Sequence, residues 1–168
     1  MGELVTERLT MGPLGLGHLD HMVELYADPE VTRFLAPLDR EAHRARLEES
    51  EKSWRALGYG RAAVTETATG RFVGRAGLVW WPQMGEVELS WALRRDRWGL
   101  GYATEAARAW ARWGLRNLPV EHLTANIHPD NAASLAVAHK LGMLPLRTDS
   151  FHGATVVVHA ISRSPTTA

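Results

Sequence analysis

The residues best suited to chemistry lie together between Trp91 and Glu105. In Trp91-Ala92-Leu93-Arg94-Arg95-Asp96-Arg97-Trp98-Gly99-Leu100-Gly101-Tyr102-Ala103-Thr104-Glu105, a strand-like run gives way to two glycines and then to a helical pattern. The first turn of a helix leaves backbone N–H groups unpaired and carries a partial positive charge. Glycines let an anion approach that backbone closely. The combination describes a pyrophosphate site. The residues from Arg97 through Trp98, Gly99, Leu100, Gly101, Tyr102 and Ala103 to Thr104 form its turn, and Trp91 and Leu93 lead into it. Arg94, Arg95 and Arg97 add cations suited to a further phosphate. The same segment also reads as an ordinary glycine-rich turn with solvated arginines.

Other nucleotide motifs fit less well. A P-loop needs Gly-Lys-Ser/Thr, and the chain has none. A dinucleotide fingerprint needs a third small residue where Thr104 stands, and an acidic residue closing the next strand. Glu121 precedes that strand instead. Gly12 to Gly17 leads into no basic cluster and reads as a plain turn.

Elements must hold this segment in place. A first strand is expected over Leu4 to Leu14. Leu19, Met22, Val23 and Tyr26 recur at helical spacing, and Asp28-Pro29 ends that helix. Asp39 is placed to cap a second helix that stops at Gly58. This helix is heavily charged, with Glu48–Lys52 and Glu51–Arg55 in the favourable i, i+4 order. Its thin apolar stripe of Leu47, Trp54 and Leu57 puts it on the outside of the molecule, where mobility is expected.

Strands follow over Tyr59 to Glu66 and Arg71 to Trp81, joined by Thr67-Ala68-Thr69-Gly70. In Glu86 to Leu93, Val87, Leu89, Trp91 and Leu93 alternate with Glu86, Glu88, Ser90 and Ala92. From Tyr102 to Arg116 the period changes to helical, with Thr104, Glu105, Arg108, Arg112 and Arg116 on the polar face. A strand over His122 to Ile127, a helix over Asn131 to Leu141, and strands over Leu144 to Arg147 and Thr155 to Ile161 complete the chain. The reading is an α/β (α+β) fold, a single domain over 1–168 with residues 162–168 as a flexible tail. Its sheet is mixed, largely antiparallel and twisted, flanked by about four helices.

The 168 residues are enough for one domain with a real core. Lysine plus arginine and aspartate plus glutamate each number 19, so no global field attracts nucleic acid or an anionic membrane. Cysteine is absent, which removes disulfides, thiolate nucleophiles and cysteine metal sites. His18 and His21 lack partners at ligand spacing, so no metal is expected. The first ten residues do not read as a signal peptide, and no run is long and apolar enough to span a bilayer. A cytoplasmic location is the default expectation.

Arg95 to Ala106 resembles the acetyl-CoA signature of the GNAT superfamily, closest to the branch of ribosomal-protein N-terminal acetyltransferases. Further landmarks fall in the same order: Thr6-Glu7-Arg8-Leu9, Asp28-Pro29-Glu30-Val31, and Asn131-Ala132-Ala133-Ser134 followed by Lys140-Leu141-Gly142-Met143. The resemblance covers nearly the whole chain. It implies acetyl-CoA as co-substrate and an amine-bearing acceptor, and it is compatible with a homodimer. The acceptor is open between a protein N-terminus, a small amine, an amino acid and an aminoglycoside-like antibiotic.

The sequence departs from the family pattern in two places that matter. Asp96 stands where Gln or Arg is common. Ala138 stands where many members carry a tyrosine that protonates the leaving thiolate. That second departure keeps open a non-catalytic acyl-CoA-binding or regulatory module on the same fold.

If the chain is catalytic, the protein must position amine and thioester, take a proton and assist the leaving thiolate. Glu88, off the apolar face of its strand, is the candidate base; it also reads as a half-exposed strand carboxylate. Ser134 is the resemblance's candidate for bonding the sulfur, or a helix residue bonded to its own turn. Asn131 is implied as a pantetheine contact and also fits an N-cap. Lys140, beside His139, is implied near the adenosine 3′-phosphate.

Overall fold

The computed structural model describes residues 2–163. Most of the expected tail, residues 164–168, lies outside the described residues, while Ser162 closes the last strand.

The expected first strand is two strands. Leu4–Val5 (β1) and Leu9–Pro13 (β2) pair antiparallel, with Leu4 opposite Met11. Thr6 makes the turn: its N–H donates to Leu9 O at 2.8 Å, and its hydroxyl accepts from Leu9 N–H at 3.2 Å. A side-chain hydroxyl does here what glycine or proline does in a plainer turn.

Leu19–Ala27 (α1) ends at Asp28, whose carboxylate accepts from Glu30 N–H at 2.9 Å and so starts Pro29–Thr32 (α2). This short helix brings the helices to five among the described residues, one more than expected. In Arg40–Leu57 (α3), Asp39 accepts from Ala42 N–H at 2.8 Å and Gly58 stops the helix at φ 74°. The expected Glu51–Arg55 pair is present at 3.9 Å, but Lys52 lies 3.7 Å from Glu49 and not beside Glu48.

α3 lies over one face of the sheet, on the outside as expected, but its buried stripe is not the expected Leu47, Trp54 and Leu57. The helix buries His43 and Ser50 as well as Leu47 and Trp54. The Trp54 indole donates to Arg61 O at 2.7 Å. His43 and Ser50 widen the buried stripe, while Leu57 is exposed.

Arg61–Glu66 (β3) and Phe72–Trp81 (β4) form a hairpin whose turn ends on Gly70 at φ 69°. Glu86–Leu93 (β5) leads to Tyr102–Asn117 (α4), and His122–Ile127 (β6) leads to Ala132–Leu141 (α5). Leu144–Phe151 (β7) and Ala154–Ser162 (β8) close the fold as a hairpin longer than expected. The strands form one sheet in the order β1-β2-β3-β4-β5-β6-β8-β7. Every pairing is antiparallel except β5 with β6, which meet in parallel at Glu88 and Thr124. From there toward Leu93 and Ile127 the two strands run without ladder pairing.

The two faces of the sheet differ. Ala62, Val64, Ala76, Leu78, Val87 and Leu89 pack against Ala106, Ala107 and Trp110 of α4. Gly114 lets the helix ride close, since a Cβ there would meet Leu78 Cδ1 at 2.8 Å. On the opposite face, α1 and α3 pack Leu25 and Leu47 over Ala63 and Phe72. Alternation of the register puts Arg61, Arg75, Ser90 and Glu88 on that same second face.

Candidate active site

The start of α4 is built for an anion. Gly99 and Gly101 hold φ 76° and 79°, a left-handed backbone that other residues rarely adopt. The first bond of the helix is Glu105 N–H to Gly101 O, and no side chain caps the end. The amides from Gly99 to Thr104 therefore have no partner among the described residues. An added Cβ at Gly99 would meet nothing within 4 Å, so the space before these amides is open.

The β1–β2 turn clamps this loop. Glu105 accepts from Thr6 Oγ1 at 2.6 Å, from Arg8 N–H at 3.0 Å and from Arg8 Nε at 2.7 Å. Arg8 also donates to Leu100 O at 2.9 Å and lies over the Tyr102 ring at 4.7 Å. Burial pushes the Glu105 carboxyl up, but the bonds from Thr6 and Arg8 outweigh it and hold the group below its ordinary value. From the strand side, the Trp98 indole donates to Leu93 O at 2.9 Å.

The cations divide in a way the sequence did not reveal. Arg94 is paired with Glu24 at 2.7 Å and with Asp96 at 3.3 Å. Arg97 Nε lies 3.0 Å from Glu66 Oε1, though without hydrogen-bond alignment, and Nη1 donates to Asp96 O at 3.2 Å. Arg95 is exposed. A second basic group, Arg108, Arg112 and Lys140, lines an open cleft of about 520 Å³ with Arg8, Gly101 and Thr104. Arg108 donates to Lys140 O at 3.0 Å, and none of the three has a carboxylate partner among the described residues. Their signal was present as an i, i+4 basic pair sharing a helix face with Thr104.

The unpaired stretch between β5 and β6 opens beside both helix starts. Carboxyl ends of adjacent parallel strands are where ligands enter such sheets. Asn131 caps α5, its Oδ1 accepting from Ser134 N–H at 3.1 Å, so the N-cap role is present and the amide nitrogen stays available. The Ser134 hydroxyl is half-buried and makes no hydrogen bond among the described residues. Ala138 is buried with Ala125, Ile127 and Met143, and Trp91 packs against that cluster.

Glu88 is buried at 7 % exposure, deeper than the half-exposed position expected. Its Oε2 accepts from the Trp81 indole at 2.7 Å and its Oε1 from Asn126 Nδ2 at 3.1 Å. Each oxygen keeps a further lone pair. The carboxylate thus stands at the one β5–β6 register position, where the unpaired stretch begins. The β7–β8 tip borders this region, with Phe151 edge-on to Trp81 at 5.2 Å. His21 stacks on Phe72 at 4.7 Å and His18 Nδ1 lies 3.2 Å from Gly15 N, both in the scaffold and not in the cleft.

Fold and cleft together define an acetyltransferase of the GNAT class. Residues 8–144 match the family described as "Acetyltransferase (GNAT) domain", and the chain belongs to that family. It is 33 % identical over 124 residues to YkkB of Bacillus subtilis, an uncharacterized protein, covering 71 % of each chain. It is 26 % identical over 145 residues to an uncharacterized N-acetyltransferase, p20, of Bacillus licheniformis, covering 84 % of this chain and 82 % of that one. An acetyltransferase structure from Agrobacterium tumefaciens superposes with a TM-score of 0.85 at 29 % identity, over 97 % of this chain and 95 % of that one. The RimL ribosomal L7/L12 alpha-N-protein acetyltransferase, solved in complex with coenzyme A, shares the fold at a TM-score of 0.79 and 15 % identity, over 95 % and 97 %. Among the described residues, no helix is long and apolar enough to cross a membrane.

Proposed function

We propose that this protein transfers the acetyl group of acetyl-CoA to a primary amine by direct attack within a ternary complex. The observation that carries the reading is the run of unpartnered amides from Gly99 to Thr104 beside the opening between β5 and β6. The amides receive the pyrophosphate. Arg108, Arg112 and Lys140 stand ready for the 3′-phosphate. The pantetheine arm runs between β5 and β6, where unpaired strand edges and the Asn131 amide offer it hydrogen bonds.

The neutral amine attacks the thioester carbonyl from the face that carries Glu88. Its C–N bond forms, the C–S bond breaks, and the amine's surplus proton passes to Glu88, directly or through one water. Trp81 and Asn126 hold that carboxylate in one orientation. The Ser134 hydroxyl, which has no partner among the described residues, donates to the departing sulfur as negative charge grows there. Ala138 leaves no phenol for that task.

Two assays test the reading: release of free thiol from acetyl-CoA with a panel of amines, and the mass of the acetylated products. Amine-dependent thiol release with matching product supports it. Tight coenzyme binding with no turnover on any amine overturns it and leaves an acyl-CoA-binding module.

A further inference from the structure

The sheet face that carries Glu88 also holds positive charge that no carboxylate meets at ion-pair distance among the described residues. Arg61 of β3, Arg75 of β4 and Arg46 of α3 line one small cavity of about 20 Å³ with Tyr26 and His43. That is room for one small polar group. None of the three guanidinium groups has a carboxylate within ion-pair distance among the described residues. Arg75, buried at 8 % exposure, donates to the Tyr26 hydroxyl at 3.0 Å and to Ser90 Oγ at 3.3 Å, both neutral acceptors. The Arg61 and Arg46 guanidinium groups make no hydrogen bond among the described residues. His43 is 2 % exposed, and its Nε2 is a buried polar atom without a partner.

Three different groups sense the resulting potential. Burial together with Arg75 brings the Arg61 guanidinium down to about 10, against the opposing influence of Glu88 and Tyr26. Burial and then Arg46 and Arg75 lower His43, which keeps it neutral. Burial pushes the Tyr26 phenol up, yet Arg75, Arg61 and Arg46 bring it below the ordinary tyrosine value. A half-buried phenol made more acidic by its surroundings marks a place that favours an anion.

This charge sits beside the proposed chemistry. Arg61 lies opposite Gly77, and Gly77 lies opposite Ser90, so a residue without a side chain separates the arginine from β5. Strand spacing puts the Arg61 and Ser90 backbones roughly 10 Å apart. Glu88 follows two positions along β5 on the same face. Arg75 is buried with neutral acceptors only, and a buried charge without a counter-charge is costly. Arg61 and Arg46, half-buried beside it, have no carboxylate of the described residues at ion-pair distance and can meet an external one.

We propose that the acceptor is a small amine bearing a carboxylate, that Arg61 and Arg46 bind the carboxylate with Arg75 behind them, and that the amine is thereby presented to Glu88. The inference rests on the acetyl-transfer reading and selects an amino-carboxylate over an uncharged amine or a protein N-terminus.

The test compares amino acids with their own carboxamides, and with an amidated peptide, as acceptors for the whole protein with acetyl-CoA. The expected result is a preference for the carboxylate form of about 10- to 100-fold in kcat/KM, the range for a charge-assisted bond. R61Q should erase that preference through KM, and R61K should retain part of it. Carboxamides or the peptide serving as well as the free acids would overturn the proposal.

A second measurement keeps the question separate from turnover. In the presence of CoA, the preferred amino acid should raise the melting temperature of the wild type and not of R61Q. Unliganded R61Q should melt no lower than the wild type, because a half-buried cation with no carboxylate partner among the described residues has been removed. A lower melting point with an unchanged acceptor preference would assign Arg61 a structural role and overturn the proposal. So would stabilisation by chloride alone with no response to amino acids. If no amine is acetylated, the acetyl-transfer reading falls, and the melting comparison still decides whether the pocket binds a carboxylate.

Discussion

Arg8 and Glu105 form a 2.6 Å ion pair that ties the β1–β2 turn to the first turn of α4. The pair holds the glycine loop from both ends, because Arg8 also reaches Leu100 O. Glu105→Gln should cost about 1–3 kcal/mol, the range for removing the charged partner of several hydrogen bonds. It should also weaken coenzyme binding by loosening the loop. Chemical denaturation and calorimetry on the same variant measure both.

The same pair gives an acid limb to stability. Glu105 titrates below its ordinary value in the folded protein. Its contribution is therefore complete above the unfolded carboxylate value of about 4.3 and is lost as pH falls through the folded value. Buried His43 adds an acid penalty of its own, beginning higher, near the unfolded histidine value of about 6.5. Denaturation curves of wild type and Glu105→Gln should converge as pH drops below 4. Curves that stay parallel would show that the bond network contributes no charge-dependent stability.

Gly99→Val and Gly101→Val should both abolish tight coenzyme binding. Each position holds a left-handed φ, so a branched residue costs about 1–2 kcal/mol before any ligand arrives. At Gly99 the new side chain would occupy open space in front of the free amides. At Gly101 the Cβ would lie 3.5 Å from Arg8 Nη2, an ordinary contact, so there the cost comes from the backbone conformation. Unchanged CoA affinity by calorimetry in both folded variants would place the anion site elsewhere.

Much of this architecture is legible in the sequence because its signals are local. The alternation of β5, the period of α4, Asp39 as a cap and Gly58 as a stop each depend on neighbours within a few residues. The break at Thr6 was not legible, since a threonine hydroxyl makes the turn and the stretch reads as one strand. The division of the arginines was not legible either. Glu24 and Glu66 are 70 and 31 residues from the arginines they approach, a separation no local pattern records. The Arg46, Arg61 and Arg75 cavity is not legible for the same reason: each reads as solvated until the sheet register puts Arg61 and Arg75 on one face and α3 packs Arg46 over them.

Arg112→Gln should weaken CoA binding more than dephospho-CoA binding, and Arg94→Gln should not discriminate between them. Arg112 has no partner in the cleft, while Arg94 already satisfies Glu24 and Asp96. The wild type should prefer CoA to dephospho-CoA at low salt, and added salt should shrink the gap as screening shortens toward a few ångströms. Equal affinities at low salt would remove the 3′-phosphate from this cleft. Discrimination lost in Arg94→Gln alone would return it to the Arg94–Arg97 turn.

Ser134→Ala and Glu88→Gln separate the two proton tasks. Ser134→Ala should lower kcat with little change in CoA affinity, because a bond to developing charge strengthens only toward the transition state. Its hydroxyl bonds to nothing among the described residues, so the fold should tolerate the change. Glu88→Gln is less innocent. Glutamine keeps one acceptor oxygen, which the Trp81 indole needs at 2.7 Å, and it presents an amide donor to Asn126. Asn126 can turn its own amide to offer oxygen in return. The fold should therefore survive with a loss of about 1 kcal/mol. Catalysis should fall by ~10²-fold, the low end for acid–base catalysis, since water can still carry the proton away. Both losses should fall on kcat with CoA affinity kept. The measurement needs the acceptor amine, with kcat and CoA affinity compared for wild type and both variants. If both retain wild-type rates, catalysis rests on positioning of amine and thioester alone.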